Sequence, residues 1–167
     1  MSIWRGSLCL VLFFSIPSAT TAADAVEVSQ AKYAELAGAV GQQRGNVVLV
    51  DFWSLTCIPC RRALPHLMQL QARFRTSGLR IITVSLDSPK NVEQVRQVLQ
   101  KLKATTANLL LSEPTSVVTD KLKVKAIPCL YLFDRQGRIE RKFTQLPNHT
   151  ELEQLIVQLL QEREPTR

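Results

Sequence analysis

Residues 47–52 read Val-Val-Leu-Val-Asp-Phe, five apolar side chains around one carboxylate. So short and dry a run suits a central strand covered on both faces, which requires helices above and below it. Shortly after it comes Cys57-Ile58-Pro59-Cys60, opening a stretch in which Leu64, Leu67, Leu70 and Phe74 recur at helical spacing, with Pro65 inside it to bend the helix. Two thiols therefore sit where a strand turns into a helix. There the first helical turn points unpaired N–H groups and the positive end of its dipole at whatever lies in front. A thiolate gains from that: lowering a cysteine pKa from about 8.5 towards 7 makes it a nucleophile near neutral pH. A second thiol one turn away can then resolve the mixed disulfide.

The remaining chain alternates in the same way. Tyr33, Leu36, Ala37 and Val40 mark a helix that ends before Gly41 and Gly45, and residues 79–86 form the next buried strand. Asp87-Ser88-Pro89 supplies cap and first-turn chemistry for a helix carrying Val92, Val95, Val98, Leu99 and Leu102. A short strand at 108–111, a brief helix at 115–122 and a strand at 130–133 follow. The turn Asp134-Arg135-Gln136-Gly137 returns the chain through 139–143, and a last helix presents Leu152, Leu155, Ile156 and Leu159 to the core. Strands separated by helices and closed by a hairpin predict an α/β fold with a mixed central sheet flanked by helices. With 167 residues, 46% hydrophobic, and neither repeats nor a Gly/Ser linker, one domain is expected.

The first residues differ in kind. Arg5 precedes an apolar run at 8–16, and small residues at 19–23 suit cleavage, the layout of a secretory signal peptide. A membrane anchor needs about 20 apolar residues, whereas Ser15, Pro17 and Ser18 interrupt this run. Residues 1–23 are thus expected to be a signal peptide and 24–167 the folded domain, exported and not inserted in a membrane after cleavage. Export places the thiols outside the reducing cytosol. Cleavage removes Cys9 and Arg5, leaving Cys57, Cys60 and Cys129, an odd count, and a net charge of 20 − 14 = +6. The basic residues are scattered among acidic ones, which argues for a solvated surface and against a nucleic-acid partner.

A zinc site needs more ligands than Cys57 and Cys60, and only Cys129, His66 and His149 remain, without ligand spacing. A purely structural bridge across so small a loop would constrain the unfolded chain little. The pair thus reads as a redox motif with no metal. Asp51, amid an apolar strand, should be buried and shifted towards proton-transfer range.

Asp51-Phe52-Trp53, Cys57-Ile58-Pro59-Cys60, Pro65 and Ile127-Pro128 together resemble the thioredoxin superfamily. The strand ending Val84-Ser85-Leu86-Asp87, with an extra helix and strand before Ile127-Pro128, resembles its TlpA-like exported disulfide reductases. The resemblance implies a thioredoxin-like fold with a central helix-strand insertion, and a protein-disulfide reductase whose only redox group is the Cys57–Cys60 disulfide, with no other cofactor. It further implies Cys57 as nucleophile, Cys60 as resolving thiol and Asp51 as the carboxylate beneath them. Pro128 matches the family's cis-proline, and Ile127, Pro128, Trp53, Ile58 and Pro59 are expected to border the substrate. Clients would be periplasmic proteins with disulfides or thiols, for example in cytochrome c maturation or metal-site assembly, and the electron donor a membrane thiol reductase. Pro59 offers no N–H and no charge near the thiols, which favours a reductant. Thr56, Ile58 and Thr144 depart from the usual thioredoxin residues. Cys129 stands where threonine is usual, as a small buried residue or as a possible third redox thiol. Two other readings stay open: an oxidase or isomerase of the same fold, and a copper(I)-binding protein using the cysteines as soft ligands.

N-terminal sequencing of the protein recovered from an expressing Gram-negative host's periplasm should begin just after Ala22 or Ala23. Recovery of the chain with Arg5 still attached would sink the signal-peptide reading.

Overall fold

The computed structural model describes residues 26–162. The expected signal peptide, 1–23, lies outside them. The order is β1 (Ser29–Ala31), α1 (Tyr33–Gly41), β2 (Val47–Trp53), α2 (Ile58–Phe74), β3 (Leu79–Ser85), α3 (Val92–Lys101), β4 (Ala107–Leu111), α4 (Thr115–Asp120), β5 (Cys129–Phe133), β6 (Ile139–Phe143) and α5 (His149–Gln161). The strands form one mixed sheet in the order β1-β4-β3-β2-β5-β6. β2 lies inside it, parallel to β3 and antiparallel to β5, and all seven of its residues are buried.

Alternation along β2 divides the core. Val47 and Leu49 face one way, where Leu67 and Leu70 of α2 and Ile156 and Leu159 of α5 cover them. Val48, Val50 and Phe52 face the other way, packed with Leu36 of α1, Val118 of α4, and Tyr131. A third cluster joins Trp53, Cys60 and Leu64 to Val95 and Leu99 of α3 and Leu110 of β4. The expected helix-strand addition is therefore α3 and β4: β4 lies between β3 and β1, and α3 covers the sheet beside the start of α2.

Strand β1 was not foreseen. Ser29-Gln30-Ala31 has no strand-like alternation, and it is extended because the edge of β4 accepts it, Ser29 opposite Leu109. A 3₁₀ turn, Pro89–Asn91, precedes α3, where the sequence suggested a helix running on from Pro89. Ser88 caps that turn by accepting the Lys90 N–H.

Two polar groups tie the sheet to its surroundings. Asn108, only 4% exposed, accepts from the Thr83 hydroxyl at 2.9 Å and from the Thr106 hydroxyl at 2.8 Å. Its amide nitrogen donates to the carbonyls of Ala104 and Thr106, each at 3.0 Å, and lies 3.3 Å from that of Glu27. At the end of β2 remote from the thiols, Arg135 donates to the carbonyls of Gly45, Leu160 and Ser77. Gly78 passes so close, with φ +101°, that a Cβ there would stand 3.0 Å from the Arg135 guanidinium.

Asn108→Ala leaves the buried Thr83 hydroxyl and the Ala104 carbonyl without their partner, an unsatisfied-group cost of about 1–3 kcal/mol each. The urea midpoint should fall with an unchanged m-value, and a midpoint equal to wild type would show that the network does not hold β4 to β3.

Candidate active site

The junction of β2 and α2 forms the site. Cys57 is the N-cap of α2, in extended conformation at φ −80° and ψ 92°, and its sulfur accepts the Cys60 N–H at 3.3 Å. The two cysteines are joined in a disulfide with Cα atoms 5.3 Å apart. Cys57 is half-buried and Cys60 is 1% exposed, so an attacking thiolate from solvent meets Cys57 first. Once reduced, Cys57 would hold its thiolate at the positive end of a 17-residue helix. Pro59, in the first turn, withholds one N–H from that end.

The loop before Cys57 is held from the neighbouring strand. The Asp87 carboxylate accepts the Leu55 N–H at 2.9 Å and the Ser85 hydroxyl at 2.8 Å, and the Leu86 N–H donates to the Trp53 carbonyl. The Cys57 N–H closes the loop on the Ser54 carbonyl at 3.2 Å. Asp87 therefore reaches back to the thiol loop, whereas the sequence suggested it as cap chemistry for the next helix. The Ser-x-Asp spacing at the end of β3 was the available signal, since a short acidic side chain there can bond its own backbone and that of an adjacent turn.

Asp51 faces the α2 side of the sheet with Leu49 and Trp53, one step back along β2 from Trp53. It is 1% exposed, and its Oδ2 has no hydrogen-bond partner. Burial without compensation disfavours the charge and pushes its pKa up from 3.8 to about 7. That rise, 7 − 3.8 at about 1.36 kcal/mol per unit, makes the ionised form costly by something on the order of 4 kcal/mol.

The expected substrate-facing residues divide. Ile58 is 60% exposed, Pro59 is exposed, and Ile127 and Pro128 are half-buried, with a cis peptide bond between the latter two. All four are accessible from solvent. Trp53 is not: it is 0% exposed and packs against Cys60, Leu64 and Leu99, so it supports the pair from within and cannot border a substrate. Cys129 is a free thiol, 1% exposed, and burial raises its pKa. It stands opposite Phe52 across β2 and β5 and shares that residue's face, away from the cluster holding Cys57 and Cys60. The fold does not bring it to the pair. Among the described residues, no three His, Cys, Asp or Glu side chains are grouped to hold a metal ion.

Asp51 sets a pH dependence with a definite sign. The folded state binds its proton more tightly than the unfolded chain does, so stability falls as pH rises from 3.8 to about 7. Asp51→Asn removes that fall. The variant's stability advantage over wild type should therefore grow between pH 5 and pH 8, by up to about 3 kcal/mol in denaturant titrations at the two pH values; a constant difference would show that Asp51 titrates normally.

The family model described as thioredoxin-like matches residues 45–139, which hold the thiol pair, Asp51 and the Ile127–Pro128 loop. Protein DipZ of Mycobacterium bovis is 31% identical over 128 residues, 73% of this chain but 18% of that protein. Thiol-disulfide oxidoreductase ResA of Oceanobacillus iheyensis is 29% identical over 96 residues, 58% of this chain and 48% of that protein. The chain thus spans about a fifth of the one relative and about half of the other. The crystal structure of a provisionally named thiol:disulfide interchange protein DsbE from Chlorobium tepidum superposes with a TM-score of 0.62 at 28% identity, covering 71% of this chain and 83% of that one. With a matched region extending over more than half its length and the same mixed sheet flanked by helices, the chain belongs to the thioredoxin-like family.

Proposed function

We propose that the protein is an exported thiol:disulfide oxidoreductase that reduces disulfides of client proteins. The observation that carries the reading is the half-exposed Cys57 at the N-terminus of α2, bonded to a buried Cys60 that packs on the face of β2 bearing Asp51, whose Oδ2 has no hydrogen-bond partner. The names borne by the ResA and DsbE relatives support the same chemistry.

In the reduced protein, the Cys57 thiolate attacks one sulfur of a client disulfide, forming a mixed disulfide and releasing the first client thiolate. Cys60 then gives up its proton and attacks Cys57 Sγ. The second client thiolate leaves, the client has gained two electrons, and Cys57–Cys60 is again a disulfide. Asp51 is the group we assign to accept the Cys60 proton, because a carboxyl with a pKa of about 7 exchanges protons readily at neutral pH. The two thiols carry both electrons, so the cycle needs no organic cofactor. Ile58, Pro59, Ile127 and Pro128 border the approach to Cys57 and would meet the client. A membrane thiol reductase would restore the dithiol. The basic start, apolar run and small residues of the N-terminus support a periplasmic location. Among the described residues, no helix is long and apolar enough to cross a membrane.

Cys60→Ser cannot complete the second step and should hold clients on Cys57 as mixed disulfides that dithiothreitol releases. The wild-type pair should equilibrate near −270 mV, where a reductant lies, and a potential near −120 mV would assign it to the oxidants instead. Asp51→Asn should slow release of the second client thiolate at pH 7 by at least 10-fold while leaving mixed-disulfide formation within a few-fold of wild type.

A further inference from the structure

The face of the sheet opposite the disulfide carries a cavity of about 360 Å³ between α1, the residues after α4, and β5 and β6. Small-molecule sites begin at about 300 Å³. Its apolar wall includes Leu36, Val40, Val50, Phe52, Tyr131 and Phe133. Every charged residue that lines it is a cation, namely Arg44, Lys121 and Lys123, and no carboxylate faces it. None of the three forms an ion pair among the described residues.

The rim is held in place. Lys121 Nζ stands 5.3 Å above the Tyr33 ring. Lys123 has a left-handed backbone, φ +55°, and its carbonyl accepts the Lys142 ammonium, which itself lies 5.0 Å above the Tyr131 ring. The Tyr131 hydroxyl donates to the Leu122 carbonyl at 2.7 Å, fixing the segment that bears both lysines. An apolar floor favours an apolar body. Uncompensated cations at the mouth set the sign of the group that accompanies it.

We propose that this cavity binds a small amphipathic monoanion, its apolar body against Phe52, Tyr131 and Phe133 and its carboxylate at the end of the mouth that bears Lys121 and Lys123. A neutral hydrocarbon leaves the cations of the lining without a counter-charge, and an amphipathic cation adds another. The concave shape and size suit a small molecule; a protein client instead needs a broad surface around Cys57.

The full mature protein is titrated calorimetrically with decanoate, below the concentration at which it forms micelles, and with decyltrimethylammonium as the charge-reversed probe. Saturable one-to-one binding of decanoate is expected, at least 10-fold tighter than that of decyltrimethylammonium. Lys121→Glu combined with Lys123→Glu should weaken decanoate at least 10-fold, and Ala37→Trp, on the exposed side of α1 at the cavity mouth, should block it. Circular dichroism and the rate of disulfide exchange, whose thiols lie across the sheet, report that each variant is folded. Absence of saturable decanoate binding, equal affinity for the two probes, or undiminished decanoate binding by the charge-reversed variant would overturn the assignment.

Discussion

Ionising Asp51 works against the same burial that makes β2 the centre of the sheet. The strand is dry because helices cover it on both sides, and the carboxyl lies within it with Oδ2 unpartnered. A polar partner would have lowered the cost of the charge and returned the pKa towards 3.8. The packing that stabilises the domain and the proton affinity proposed to serve the thiols are therefore one arrangement. Closer packing around Asp51 would raise its proton affinity, and a water or side-chain donor admitted to it would lower that affinity.

The junction beyond β2 shows how little of a site needs to be built from its reacting atoms. Cys57 and Cys60 are placed by the start of α2, and that start is placed by Asp87, which belongs to the next strand's end and bonds the Leu55 N–H. Trp53 fills the space under the pair and links it to α3 and β4. The helix-strand addition is thus continuous with the core below the disulfide, while the four solvent-accessible residues come from the first turn of α2 and from the loop before β5.

Much of this was legible in the chain itself. Apolar runs marked β2 and β3, helical spacing marked α2 and α5, and the spacing of Cys57 and Cys60 at a strand-helix junction pointed to thiol chemistry. The elements that escaped are those specified from elsewhere in the fold. β1 has three residues of no particular pattern and is a strand because β4 has a free edge to pair with. Asp87 satisfies the Leu55 N–H from a separate part of the chain; the Ser-x-Asp spacing hinted at a bonded carboxylate but not at that partner, and its neighbours Ser88 and Pro89 supplied a plausible but incomplete reading as a cap. Trp53 could be placed near the thiols from its position, but whether it faced a client or the core depended on α3, whose packing angle no local pattern encodes.

Bridging Cys57 to Cys60 leaves Cys129 as the free thiol among the described residues. Cys129 opens β5, and in the folded sheet it is covered on the face away from the other two. Its seclusion consequently depends on the pairing of one strand. Without the pairing of β5 to β2 nothing in the sheet covers that sulfur; with Cys129 opposite Phe52 it is 1% exposed. The sheet itself thus decides which sulfur is withheld from exchange: the strand that completes one side of β2 also removes the third thiol from solvent.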